Sequence, residues 1–125
     1  EYPENVSKGY FIKPTIFANV KNTMTIAKEE VFGPVLVIIG YDNEDDAVKI
    51  ANDSDYGLSG YISSSNLDKA KSMAKKIRTG MVHINYAPVN QKLPFGGFKK
   101  SGNGREWGKH GIEDFLEVKS IIGTS

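Results

Sequence analysis

Two stretches of this 125-residue chain combine residue types that could hold a small ligand. In Glu29-Glu-Val-Phe-Gly-Pro34 a pair of carboxylates precedes an aromatic ring and a Gly-Pro turn. A carboxylate there can accept two hydrogen bonds from a ribose diol, and an aromatic two residues later can pack on a flat ring. An exposed turn with a Phe directed into the core fits the same spacing. In Leu93-Pro-Phe-Gly-Gly-Phe-Lys-Lys-Ser-Gly-Asn-Gly-Arg-Glu-Trp-Gly108 the glycines permit close backbone approach and the aromatics can wall a pocket. A Gly-rich loop packed against a partner is the competing reading. Residues 92–110 hold five Lys/Arg and one acid, which suits either an anion patch or a solvated surface.

Other chemistries fail on the residues present. Gly102-Asn-Gly104-Arg-Glu-Trp-Gly108 looks like a dinucleotide fingerprint, but its third glycine is one position late and no strand immediately precedes it. Gly97-Phe-Lys-Lys-Ser-Gly102 has the spacing of a phosphate loop without the Lys-Ser/Thr that must follow. The chain has no cysteine, so disulfides, thiolate metal sites and a cysteine nucleophile are excluded within it. Its two histidines, His83 and His110, make a poor metal site, and structural roles suit both. No metal is expected. A formal net charge of +1 gives no field for nucleic acid or an anionic membrane. The longest strongly apolar run, Val35 to Ile39, is far short of the ~20 residues that span a bilayer, and the N-terminus lacks a signal pattern. The expectation is a soluble, cytoplasmic protein that binds neither nucleic acid nor membrane.

The elements that must position these residues read as α/β. Tyr10 to Phe17 is aromatic and β-branched but contains Pro14, the pattern of an edge strand. Val35 to Ile39 is apolar without alternation, as in a strand covered on both faces. Asp42 or Asn43 can cap a helix whose first turn holds Glu44, Asp45 and Asp46 and whose inward residues are Ala47, Ile50 and Ala51. Leu58 to Ser63 reads as a strand, and Asn66 as the cap of a helix running until Gly80 closes it. Met81 to Asn85 is a further strand. The order predicts a parallel βαβαβ core with three strands at or near adjacent positions. A long irregular stretch follows, then a short helix around Arg105 to His110 and a final strand, Phe115 to Ile122.

At this point the sequence resembles the NAD(P)-dependent aldehyde dehydrogenase superfamily. Glu29-Glu-Val-Phe-Gly-Pro-Val35, Tyr56-Gly-Leu-Ser59, Gly80-Met-Val-His-Ile-Asn85, Pro94-Phe-Gly-Gly-Phe-Lys-Lys-Ser-Gly102, Gly104-Arg-Glu106 and Glu117-Val-Lys119 are similar to successive landmarks of that family, in family order. The resemblance implies the C-terminal quarter of a subunit: residues 1–114 as the latter part of the catalytic domain and residues 115–125 as a strand of the oligomerisation domain. It implies NAD or NADP as cofactor, an aldehyde substrate oxidised to a carboxylic acid, and a homodimer or homotetramer of like subunits. By the same resemblance Glu30 binds the nicotinamide ribose hydroxyls and Phe32 packs beside the nicotinamide. Val89 and Phe95 line the aldehyde tunnel, where many relatives with aromatic substrates have a Phe in place of Val89. Glu106 matches a glutamate linked to proton movement. Arg105 and Glu117 match a pair at the subunit interface.

One departure shapes the functional expectation. The family attacks the aldehyde with a cysteine thiolate and passes hydride to the dinucleotide, whereas this chain contains no cysteine. The resemblance therefore implies a fragment, inactive alone, whose nucleophile and general base lie outside it. The alternative is a non-catalytic interaction or scaffold module derived from the same fold, with Glu30 and Phe32 kept for packing.

Overall fold

The computed structural model describes residues 9–123, so the outermost residues of both expected domains, 1–8 and 124–125, lie outside the description. The chain forms two compact units, residues 1–53 and 54–125. In the first, β1 (Thr15–Phe17) pairs in parallel with β2 (Val35–Val37), with Thr15 opposite Val35 and Phe17 opposite Val37. The ladder is extended at both ends, by Thr15 N–H donating to the Pro34 carbonyl at 2.9 Å and Ile38 N–H to that of Phe17 at 2.8 Å. A one-turn helix, α1 (Thr25–Lys28), connects the strands. After β2 comes α2 (Glu44–Asn52), capped by Asn43, whose side chain accepts from the Asp46 N–H at 3.0 Å. The three acids of its first turn face the positive end of the helix dipole.

The C-terminal end of α2 is held by side chains from earlier in the chain. Asn22 Nδ2 donates to the carbonyls of Ile50 and Asp53 and to Asp53 Oδ2, at 3.3, 3.1 and 2.7 Å. Lys28 Nζ reaches the same Asp53 carbonyl at 2.9 Å and the same Oδ2 at 2.8 Å. The hydrogen bond and charge of Lys28 hold the Asp53 carboxyl below the usual carboxylate range, with Asn22 contributing less.

The second unit is built on β3 (Ser59–Ile62) and β4 (Met81–Ile84), parallel, joined by α3 (Leu67–Ala74), which packs on both. Asn66 caps α3 by accepting from Lys69 N–H at 3.0 Å, and Ala70 is fully buried. The expected parallel arrangement is present within each unit, β1 with β2 and β3 with β4. One expectation needs correction here: β2 is not covered on both faces, since Leu36 remains 57% exposed.

Gly80 does not close α3, which ends at Ala74. Its absent side chain serves another contact: a Cβ at Gly80 would lie 1.6 Å from the Gly96 carbonyl oxygen. The last helix, α4 (Gly108–Glu113), starts later than the pattern suggested, after Trp107 at φ +63°. The expected strand Phe115 to Ile122 does not form among the described residues, because a β-ladder requires a partner and none of β1 to β4 pairs with it. Among the described residues, no helix is long and apolar enough to cross a membrane.

The Gly80 contact is a sharp constraint. Gly80→Ala forces the backbone of two segments apart and should lower stability by roughly 1–3 kcal/mol or more, whereas Gly40→Ala, with nothing within 4 Å of the added Cβ, should stay within about 0.5 kcal/mol of the parent. The midpoints of urea unfolding of the two variants check this, and equal midpoints would contradict it.

Candidate functional site

The first candidate segment lies between α1 and β2. Glu29 N–H donates to the Thr25 carbonyl at 2.9 Å, ending α1, and the Pro34 carbonyl is engaged by β1, so Glu30, Val31 and Phe32 are strung between two anchors. Glu30 is exposed and Phe32 is 93% exposed, so the Phe does not enter the core. Phe32 also sits at φ +50°, in the left-handed region that a bulky residue adopts only under constraint. Among the described residues, neither side chain makes a hydrogen bond, ion pair or ring contact. The structure thus leaves a carboxylate and a ring two residues apart, both bare, on a connection fixed at each end.

The Gly-rich segment belongs to the second unit and is folded onto Gly57. The Gly57 carbonyl accepts from Gly80 N–H at 3.0 Å and Phe98 N–H at 2.8 Å, and Gly57 N–H donates to Ser101 Oγ at 2.9 Å. A Cβ there would stand 2.5 Å from the Arg78 carbonyl, which explains why a glycine follows Tyr56. Lys99–Ser101 form a 3₁₀ turn whose lysines reach back to the same region. Lys100 Nζ pairs with Asp55 Oδ2 at 2.6 Å, which raises the lysine's pKa, and Lys99 Nζ donates to the Ser54 carbonyl at 2.6 Å. Two of the five cations read as an anion patch or solvated surface therefore act as tethers.

Beyond this turn the chain doubles back. Phe95 and Glu106 form an isolated antiparallel bridge, with both N–H···O distances 2.7 Å, and the Phe95 ring lies 4.8 Å from the Trp107 ring between centroids. Arg105 Nη1 donates to the carbonyls of Gly97 and Gly104. Its guanidinium carbon is 5.2 Å from the centroid of the Phe98 ring, as is that of Arg78. The structure thus brings Phe95, Arg105 and Glu106 together along a depression of about 370 Å³ that also includes Leu58 and Asp114.

Val89 falls elsewhere, in a cavity of about 320 Å³ with Met81, His83, Pro94 and Trp107. Trp107 touches both places, since it lines the Val89 cavity and packs against Phe95. His83 is held by its ring, with Nδ1 3.0 Å from the Ala87 carbonyl and a near-parallel stack on Tyr61. Glu117 lies in the exposed tail, and Arg105 spends its Nη1 on carbonyls rather than on this carboxylate.

No spacing in the sequence marks the individual contacts of Trp107, Phe98 and Arg78. Trp107 stands in the glycine motif that fails as a dinucleotide fingerprint and, with Phe98, among the aromatics able to wall a pocket. Phe98 and Arg78 are twenty residues apart, and no local spacing signals their contact.

Comparison with known proteins supplies the family. The sequence profile of the aldehyde dehydrogenase family matches residues 1–121. A 3-succinoylsemialdehyde-pyridine dehydrogenase of a Pseudomonas species is 56% identical over 121 residues, which cover 97% of this chain and 25% of that protein. Among solved structures, aldehyde dehydrogenase C of Pseudomonas syringae, a cysteine-to-alanine mutant in complex with NAD+ and octanal, superposes with a TM-score of 0.90 at 49% identity, covering 97% of this chain and 25% of that one. An aldehyde dehydrogenase of Mycobacterium tuberculosis complexed with NAD+ gives 0.85 at 47% identity, covering 97% and 26%. The chain spans about a quarter of the length of these relatives. On the profile match and these identities, the chain belongs to the aldehyde dehydrogenase family.

Proposed function

We propose that this chain is the portion of an aldehyde dehydrogenase subunit that clamps the cofactor's nicotinamide ribose, walls part of the aldehyde site and contributes to a subunit interface, with the nucleophile and general base supplied by the rest of the protein. The observation that carries the reading is the Glu30–Phe32 connection, fixed at both ends with a bare carboxylate and a bare ring. Two of the matched structures hold NAD+, which supports NAD or NADP as the ligand. The donor chemistry fits: Glu30 can accept from both hydroxyls of a ribose diol, and Phe32 offers an uncovered face to a flat ring. A dinucleotide held here would supply the hydride acceptor for the oxidation. The part of this chain's residues is to restrict where that ring can sit, which shortens the search for the reactive geometry.

On the substrate side, Val89 and Phe95 are assigned to the aldehyde wall. Phe95 backs Trp107, and Trp107 shares a cavity with Val89, so the two expected tunnel residues connect through an intervening indole. Glu106 is exposed beside Phe95 and is assigned to proton movement rather than to covalent chemistry. The assignment of residues 115–125 to an oligomerisation domain draws support from the tail itself, where Phe115, Val118, Ile121 and Ile122 are each at least 85% exposed. An apolar segment with open backbone groups is an aggregation hazard unless another strand covers it. A second subunit of the same kind is the assigned cover, with Glu117 meeting Arg105 there.

Two outcomes test this assignment in the full-length protein. Glu30→Ala removes charge-assisted hydrogen bonds of about 1.5–3 kcal/mol and frees the nicotinamide to wander, so hydride transfer should slow by roughly ten- to a hundredfold. Single-turnover absorbance of NAD(P)H measures it, and an unchanged rate with unchanged cofactor affinity rejects the role. Glu117→Lys places like charge beside Arg105 twice in a two-fold dimer, so the oligomer should weaken and activity fall together. Sedimentation and initial rates on the same sample check this; an intact oligomer with parental turnover would make Glu117 a merely solvated residue.

A further inference from the structure

The cluster of Asn22, Lys28 and Asp53 lies outside the residues assigned so far, yet it determines where the Glu30–Phe32 connection begins. Lys28 is the last residue of α1, and two residues of chain span at most about 7 Å, so Glu30 cannot move far from whatever holds Lys28. Lys28 and Asn22 grip the same two oxygens of Asp53: Oδ2 at 2.8 and 2.7 Å, and the backbone carbonyl at 2.9 and 3.1 Å. That carbonyl follows the last turn of α2, and Asn22 adds the Ile50 carbonyl within it. The clamp therefore joins the start of the connection to a capped nine-residue helix, while the Thr15 N–H fixes its far end at Pro34. α1 itself is a single turn with no side-chain cap, too short to hold its own position.

We propose that Lys28, Asn22 and Asp53 are positioning residues for the cofactor: by pinning the end of α1 to the C-terminal end of α2 they set the placement of Glu30 and Phe32. This rests on the cofactor-binding reading of Glu30. The charges involved are partly exposed, with the Lys28 and Asp53 side chains 39% and 61% accessible, so the expected effects are moderate.

The test uses the full-length protein and measures KM for NAD(P)+, KM for the aldehyde and kcat. Lys28→Met should raise the cofactor KM by about three- to fivefold and leave the aldehyde KM unchanged, while Lys28→Arg, which preserves a cation and donors, should restore it to within about twofold. Asp53→Asn should give a smaller rise, because its backbone carbonyl still accepts from both partners. In a double variant, Lys28→Met should add less to Glu30→Gln than it does to the parent, since the two changes act in part at one place. Should Lys28→Met not fold, Asp53→Asn decides: a raised cofactor KM supports the clamp and an unchanged one overturns it. If Glu30→Gln raises the cofactor KM and Lys28→Met does not, the clamp fails and the role of Glu30 stands. A Lys28→Met effect that multiplies with that of Glu30→Gln also overturns the clamp. If Glu30→Gln itself leaves the cofactor KM unchanged, the reading of the site fails and the clamp's function fails with it.

Discussion

The second unit depends on one backbone carbonyl. Gly57 presents its oxygen to two N–H groups, those of Gly80 at the entry to β4 and of Phe98 in the Gly-rich segment, so a strand and a loop are fastened to the same point. Close approach makes this possible. A Cβ at Gly57, Gly80 or Gly97 would stand 2.5 Å or less from a backbone oxygen, and a side chain at any of them would separate the segments. From that junction the rest follows outward: Ser101 closes back onto Gly57, Lys100 pairs with Asp55, and Phe95 bridges Glu106. The glycines of this region therefore act as contact surfaces between backbones, not as phosphate cradles.

In the first unit the organising contact is electrostatic and helical. Asn43 satisfies the N-terminal end of α2, and Asn22 with Lys28 satisfies its C-terminal end, so a helix with no buried residue has both ends tied by polar side chains. Apolar burial contributes little within either unit alone. Val20 and Ala70 are the buried hydrophobic residues among those described, whereas Leu36, Tyr61 and the apolar residues of the tail stay open to solvent. This pattern agrees with a chain that covers a quarter of its relatives' length, since parallel sheets are stable when layers cover both faces.

Local features were legible in the sequence. Asn43 and Asn66 were readable as caps because a short side chain acts on N–H groups three residues away, and β3, α3 and β4 follow from periodicity over a single crossover. The pairing of β2 with β1 was not legible, because strand selection depends on residues far apart. Gly80 hides its role for a related reason: a glycine after a helix signals a C-cap, yet here the demand comes from the Gly96 carbonyl sixteen residues on. Of the candidate site residues, Glu30, Phe32, Phe95 and Glu106 lie in visible motifs. The contacts of Trp107 and the Arg78–Phe98–Arg105 contact are not visible in this way, because an indole in the left-handed region and two guanidiniums near one ring leave no spacing signature.

In the proposed reading this chain supplies the hold on the cofactor and not the reacting groups. A crystal structure of the full-length protein with NAD(P)+ bound decides between the alternatives. The Glu30 carboxylate should then lie within hydrogen-bond distance, roughly 2.6–3.2 Å, of both nicotinamide ribose hydroxyls, with the Phe32 ring against the nicotinamide. A bound cofactor whose ribose hydroxyls are held by other residues, with Glu30 and Phe32 turned to solvent, would contradict it.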